Sequence, residues 1–256
     1  MSSFKQERDR LAREWARAGG GFMVEPATEL IDLEKLLGRT AIAAPRDYRA
    51  LAVATTWLAQ HAELVNVRRL GKFAGDLPEL PSAILGAMID IAGEASASAQ
   101  RLKAARRHCR PLSTPRALFD RPESHPVLRG FAREGALPAF EAWGLWQDEW
   151  TLKFDALRPI DWIMERCPEL RLRAFYGPGL EAEVVQVLER GPATIAAVAR
   201  EVDASYSATH AAVSRLEGRG SLLSLDGQSV ELNPPVRQWI EAYPIFAREH
   251  RRVLVS

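Results

Sequence analysis

The chain reads LEAEVVQVLERGPATIAAVAREVDASYSATHAAVSRLEGRGSLLSLDGQSVEL from residue 180 to residue 232. Leucine and valine recur at helical spacing at its start, and Gly191-Pro192 ends this first predicted helix. Thr194 and Ser205 each precede another run of helical periodicity, and both side chains are favourable N-caps. Only Asp203-Ala204 separates these two runs, so the pattern predicts three helices with a tight turn between the second and the third.

Two short apolar runs follow the third predicted helix and are joined by Asp226-Gly227. An Asp-Gly pair between alternating runs is a strong signal for a β-hairpin, because both residues tolerate the backbone of a tight turn. The whole segment therefore predicts helix, helix, tight turn, helix and a two-stranded ribbon. This order is typical of a winged helix-turn-helix, in which the helix after the turn enters the major groove of DNA.

The run AVAREVDASYSATHAAVSRLEGRGSL resembles winged-helix transcriptional regulators of the MarR and ArsR kind. The positions that carry the resemblance are Val198, Ala199, Val202, Ser205, Val213, Arg215, Leu216, Glu217, Arg219 and Gly220. It covers about 55 of the 256 residues.

This resemblance implies a DNA-binding transcriptional regulator that acts as a homodimer, so that two reading helices meet two half-sites on double-stranded DNA. It implies that the side chains facing DNA are Ser205, Tyr206, Ser207, His210 and Ser214. It places Arg215 and Arg219 near phosphate groups, and it puts the wing tip at Asp226-Gly227-Gln228, with Gln228 as a further DNA contact.

The charge of the C-terminal part keeps a second interpretation open. Residues 180–256 contain 8 Arg and no Lys against 10 Asp and Glu. Tyr206 stands where the related regulators usually carry a base, and Asp226 lies at the wing tip. Because phosphate contacts need cations, the alternative function is a non-catalytic protein-interaction module on a winged helix, such as an antitoxin-like or accessory partner.

Positive charge is concentrated upstream, in residues 101–134, where 9 Lys and Arg stand against 3 Asp and Glu. The candidate phosphate contacts in this stretch are Arg101, Arg106, Arg107 and Arg110. They would supply the cations that the reading helix lacks if this stretch folds beside it. The other interpretation is a solvated face, or pairing with the acidic segment 134–149 of the same chain.

The chain has 256 residues, with Lys+Arg 34 against Asp+Glu 33, which suits one large or two modest domains. Gly177-Pro178-Gly179 indicates a domain boundary. We predict a helical N-terminal domain over residues 1–176, which senses an unknown small-molecule or protein effector or forms the dimer, and a winged helix over residues 177–256. The predicted fold class is mainly α with small β elements.

A cluster of aromatic residues stands out in the N-terminal part. Trp143, Trp146 and Trp150 have the spacing of one helix face. The stripe is interpreted as a packed face, with a ligand pocket or a stacking platform for nucleic acid as the alternatives.

Signatures of catalysis and of metal or cofactor binding are missing from the sequence. It has no P-loop and no G-x-G-x-x-G, and the spacing of His108, Cys109, His125 and Cys167 matches no zinc site. We therefore predict a protein that is not an enzyme, with no catalytic residue, metal or cofactor. The charged N-terminus and the lack of an apolar run of roughly 18 residues predict a cytoplasmic protein without a membrane partner.

Overall fold

Helices make up most of the protein in the computed structural model, which describes residues 2–243. Two small sheets accompany the helices in that range. The chain divides into two compact units, Met1–Pro159 and Ile160–Ser256. The predicted fold class, mainly α with small β elements, is confirmed at this level. Among the described helices, none is both long and apolar enough to cross a membrane.

The first unit is built from nine described α-helices and a two-stranded sheet. The helices are α1 (Ser2–Arg17), α2 (Leu33–Ala43), α3 (Tyr48–His61), α4 (Val67–Asp76), α5 (Glu79–Ala95), α6 (Lys103–Arg106), α7 (Asp120–Ser124), α8 (Pro126–Glu134) and α9 (Pro138–Glu141). Strands β1 (Arg116–Ala117) and β2 (Leu145–Trp146) pair in parallel. Short 3-10 turns connect several helices, at Ala44–Arg46, Ala62–Leu64, Ala97–Leu102 and Phe154–Ala156.

The core of the first unit surrounds α3 and α5, whose side chains are apolar on nearly every face. Trp15 and Trp57 are fully buried there, with ring centroids 6.0 Å apart. The Trp15 indole N–H donates to Thr40 Oγ1 at 2.9 Å, and that of Trp57 donates to the Ala18 carbonyl at 2.9 Å. Both buried indoles thus have the hydrogen-bond partner that burial demands.

The prediction of one helix carrying Trp143, Trp146 and Trp150 is wrong. Helix α9 ends at Glu141, and Gly144 has φ +70, a left-handed conformation that breaks helical geometry. Trp146 lies in β2 opposite Ala117, while Trp143 is buried before the break. The three indoles therefore lie in three different local structures and do not form a stripe.

The second unit contains α10 (Ile160–Arg166), α11 (Pro168–Tyr176), α12 (Leu180–Leu188), α13 (Ile195–Glu201), α14 (Tyr206–Gly218) and a helix described over 234–243, here α15. Its strands are β3 (Ala193–Thr194), β4 (Leu222–Ser224) and β5 (Ser229–Leu232). They form an antiparallel sheet in the order β3-β5-β4. Strand β3 was not predicted, because two residues carry no periodicity.

The local predictions for the second unit agree with the structure. The Thr194 and Ser205 side chains accept from Ala197 N and Ala208 N, each at 3.2 Å, and so cap α13 and α14. Asp203 has φ +51, as the tight turn between these helices requires. Gly227 has φ +76 at the tip between β4 and β5.

The second unit begins earlier in the chain than the predicted start at Gly177. Leu172 and Tyr176 of α11 belong to the same buried apolar cluster as α12, α13, α14 and the sheet. The buried Arg171 guanidinium donates to the Met164 carbonyl at 2.9 Å and to the Ile240 carbonyl at 3.1 Å, and so joins α10 to α15. These long-range contacts place α10 and α11 in the second unit. The Gly177-Pro178-Gly179 run, from which the boundary was predicted, marks only a local turn.

Candidate nucleic-acid interface

Helix α14 buries one face and exposes the other. Its buried side chains are Thr209, Ala212, Val213 and Leu216. The exposed side chains are Tyr206, Ser207, His210 and Ser214. The Tyr206 and His210 rings are neighbours, with centroids 6.1 Å apart. The structure therefore brings four of the predicted DNA-facing residues together as one polar surface, here called the reading face.

Ser205 lies at the start of this helix and has a structural role there. Its hydroxyl accepts from Ala208 N, and its carbonyl accepts from both the backbone N–H and the hydroxyl of Thr209. Satisfying the first-turn amides fixes where α14 begins. Ser205 thereby sets the register of the reading face.

The two arginines near the end of α14 share one carboxylate. Arg215 Nε donates to Glu181 Oε1 at 2.6 Å, and Arg219 Nη1 donates to Glu181 Oε2 at 2.6 Å. Glu181 belongs to the first turn of α12 and its side chain is only 13% exposed, whereas the arginine side chains are 54% and 56% exposed. Sequence reasoning missed Glu181, because the contact joins residues more than 30 positions apart.

In the β4–β5 hairpin, which the sequence predicts to be the wing, Asp226 stabilises its own turn. Its carboxylate accepts from Gln228 N at 3.0 Å, from Ser229 N at 2.5 Å and from the Ser229 hydroxyl at 3.1 Å. These hydrogen bonds lower the pKa of Asp226, and the bond from the Ser229 backbone N–H contributes most. The Gln228 side chain is exposed next to it, as are Leu223 and Leu225 on the wing. The wing thus offers one amide, one anion and an apolar surface.

Most of the candidate phosphate contacts of the first unit have partners within that unit. Arg101 donates to the Glu63 carbonyl at 2.6 Å, and Arg110 donates to the Gly75 carbonyl at 3.0 Å and to the Leu77 carbonyl at 2.5 Å. These bonds tie loops and helix ends together, so both arginines serve packing.

The other two arginines differ from one another. Arg106 forms a two-pronged ion pair with Asp90 and lies over the Trp143 ring, 4.9 Å from its centroid. Arg107 is exposed and lines an open cleft of about 520 Å³ together with Lys103 and Glu94. Of the four candidates in residues 101–134, Arg107 is thus the one that remains suited to an external anion.

The side chains considered for metal binding or nucleophilic chemistry are separated or buried. Cys109 and Cys167 are both buried and in the thiol form. Burial raises the pKa of Cys109 to about 12, so this thiol stays protonated at neutral pH and is a poor nucleophile. Within residues 2–243, no group of three His, Cys, Asp or Glu side chains is arranged to hold a metal ion.

The chain matches no protein-family model, no curated protein and no solved structure. Its function is therefore inferred from the geometry of α12, α14 and the wing. The features available for that inference are a polar reading face, a pair of arginines on one carboxylate and a wing with mixed chemistry.

Proposed function

We propose that residues 180–232 form a winged helix-turn-helix and that the protein is a DNA-binding transcriptional regulator. The support for the fold is the order α12, β3, α13, α14, β4, β5 together with the sheet order β3-β5-β4. In this arrangement the helix after the tight turn is the reading helix and the hairpin after it is the wing. The proposed partner is double-stranded DNA.

The observation that carries the proposal is the reading face of α14. A helix that is firmly packed on one side and polar on the other suits the major groove, which has the width to admit an α-helix. Hydroxyl, phenol and imidazole groups can both donate to and accept from base edges. Tyr206, Ser207, His210 and Ser214 supply these groups within three turns of one helix.

The proposed regulator acts as a homodimer, because two reading helices related by a two-fold axis bind two half-sites at a fixed spacing. The first unit would then carry the dimer contact or an effector site. The cleft that Lys103 and Arg107 line has a volume that suits a small ligand.

The second candidate function is a protein-interaction module, and a specific observation favours it. Leu223 and Leu225 are 40% and 53% exposed on the wing, beside the anionic Asp226. A mixed apolar and acidic wing suits a protein partner better than a phosphate backbone. In this function the chain is an antitoxin-like or accessory partner that binds through the wing.

Selection of bound duplexes from a randomised pool tests the proposal. We expect the double variant Tyr206→Ala, His210→Ala to select different bases and to lose about thirtyfold or more on the wild-type sequence, because each of the two base contacts is worth about 1–3 kcal/mol. The double variant Arg215→Ala, Arg219→Ala should weaken binding to every duplex alike, because phosphate contacts carry no sequence information.

Arg68→Ala is the matched control, since it removes an exposed cation from the other unit. It should select the same sequences as the wild type. If the Tyr206, His210 double variant still binds DNA and selects the same bases as the wild type, the reading face does not read bases. Enrichment of no sequence by the wild type would favour the interaction module.

A further inference from the structure

We infer that Glu181 is a positioning residue that holds Arg215 and Arg219 side by side as a clamp for one phosphate of the DNA backbone. The inference rests on the proposed function and adds a specific partner group at the same site. Glu181 itself does not touch DNA in this account, since it acts through the two guanidinium groups.

The clamp follows from the way the carboxylate is shared. Each oxygen of Glu181 accepts from a different arginine at 2.6 Å, so the two guanidinium groups flank a single carboxylate. Arg215 and Arg219 are one helical turn apart, where like charges repel each other and would turn apart without a shared anion. Glu181 therefore holds the two guanidinium groups close to each other, while more than half of each arginine side chain stays exposed.

The arginines keep donors for a second anion. A guanidinium carries five N–H groups, and the bonds to Glu181 use Arg215 Nε and Arg219 Nη1. More than half of each arginine side chain is exposed, while Glu181 is mostly buried beneath them. The three side chains together carry a net charge of one positive unit. Phosphate oxygens are well suited to such a pair of planar donors.

Two opposing effects follow from the charge of Glu181. Its negative charge repels DNA, but the two guanidinium groups bonded to it leave the three side chains with a net positive charge. Its hydrogen bonds order two long side chains before DNA arrives, which removes an entropic cost that binding would otherwise carry. The inference requires the second effect to exceed the first, so the loss of Glu181 should weaken binding even though it makes the protein more positive.

The test is the affinity of the full chain for a mixed-sequence duplex, measured by fluorescence anisotropy over a range of salt concentrations. We expect Glu181→Ala to weaken binding about fivefold at low salt, because both arginines remain but are no longer ordered before DNA arrives. Glu181→Gln should recover part of the affinity, because its amide oxygen still accepts from one arginine. Glu231→Ala, which removes a carboxylate on β5 that is not the partner of Arg215 or Arg219 in their ion pairs, should bind as the wild type does or slightly more tightly.

Whether Glu181→Ala binds DNA more weakly or more tightly than the wild type decides if Glu181 positions the arginines or competes with DNA for them. The inference is overturned if the wild type binds the duplex and Glu181→Ala binds it as tightly or more tightly. Glu181 would then be a competitor of DNA for the two arginines. If Glu181→Ala fails to fold by circular dichroism, Glu181→Gln decides in the same way, since weaker binding supports the clamp and tighter binding overturns it. A wild type that does not bind the duplex would instead remove the proposed function.

Discussion

Gly86→Ala is expected to lower the free energy of unfolding of the first unit by about 3 kcal/mol, the upper end of the cost of overfilling a packed core. A Cβ atom on Gly86 would overlap three atoms of the Trp143 six-membered ring. This indole is only 4% exposed, and its N–H donates to Asp90 at 2.8 Å. Arg106 lies over the face of the ring and is paired with Asp90, so movement of the ring would disturb both contacts.

Gly75→Ala is the matched control for this substitution. Gly75 also lies in a helix, but its Cβ would meet no atom within 4 Å. There the change should stabilise the protein by up to about 1 kcal/mol, through the helix propensity of alanine. Urea unfolding followed by tryptophan fluorescence measures both variants. Equal stability of the two variants would mean that Trp143 does not pack on Gly86.

A loss of stability between pH 6.5 and pH 4 is the second large effect that we expect, and His61 is its cause. The imidazole is 3% exposed and its Nε2 is buried without a hydrogen-bond partner among the described residues. Burial lowers the pKa of His61 from 6.5 to about 4. The nearest carboxylate, on Glu63, is 3.9 Å from Nδ1 and is half exposed, so it compensates little for the burial.

Stability falls with falling pH because the unfolded chain takes up a proton on His61 at a higher pH than the folded chain does. Above pH 6.5 His61 is neutral in both the folded and the unfolded chain, so it adds no pH dependence. As the pH falls below 6.5 the unfolded chain is protonated while the folded one is not, and stability drops by about 3 kcal/mol by pH 4.

Urea unfolding at a series of pH values measures this loss. In His61→Leu the loss of stability that His61 causes between pH 6.5 and pH 4 should disappear, because no titrating group remains at this position. His125→Gln, a change at an exposed histidine, should keep the wild-type profile. A His61→Leu profile that still runs parallel to the wild type would assign the pH dependence to other groups.

Local signals in the sequence were sufficient for the three helices and the hairpin of residues 180–232, but not for β3. Ser205 caps a helix through its own neighbours, and Asp226-Gly227 forms a turn within four residues, so neither depends on the rest of the chain. The tryptophan spacing was misleading, because Gly144 takes a left-handed conformation and β2 pairs with a distant strand. A spacing of i, i+3, i+7 indicates a helix only where the backbone between those residues stays helical.

The sequence was sufficient to predict which residues lie on the exposed face of α14, but not which arginines are paired within the protein. The exposed face of α14 follows from helical periodicity, and its four polar residues lie together as expected. The partners of Arg215, Arg219, Arg101 and Arg110 could not be predicted, because each contact joins segments far apart in the chain. Counting charges along the sequence therefore overestimated how many arginines remain available for phosphate.

The most direct test of the central claim is the binding of the wild-type protein to a double-stranded DNA duplex at low and at physiological salt. The proposed function predicts binding at micromolar protein or below at low salt, weakening linearly on a logarithmic scale as salt rises, by about one unit of slope for each phosphate contacted. The absence of any salt-sensitive binding at micromolar protein would contradict a DNA-binding regulator and leave the protein-interaction module as the function of this fold.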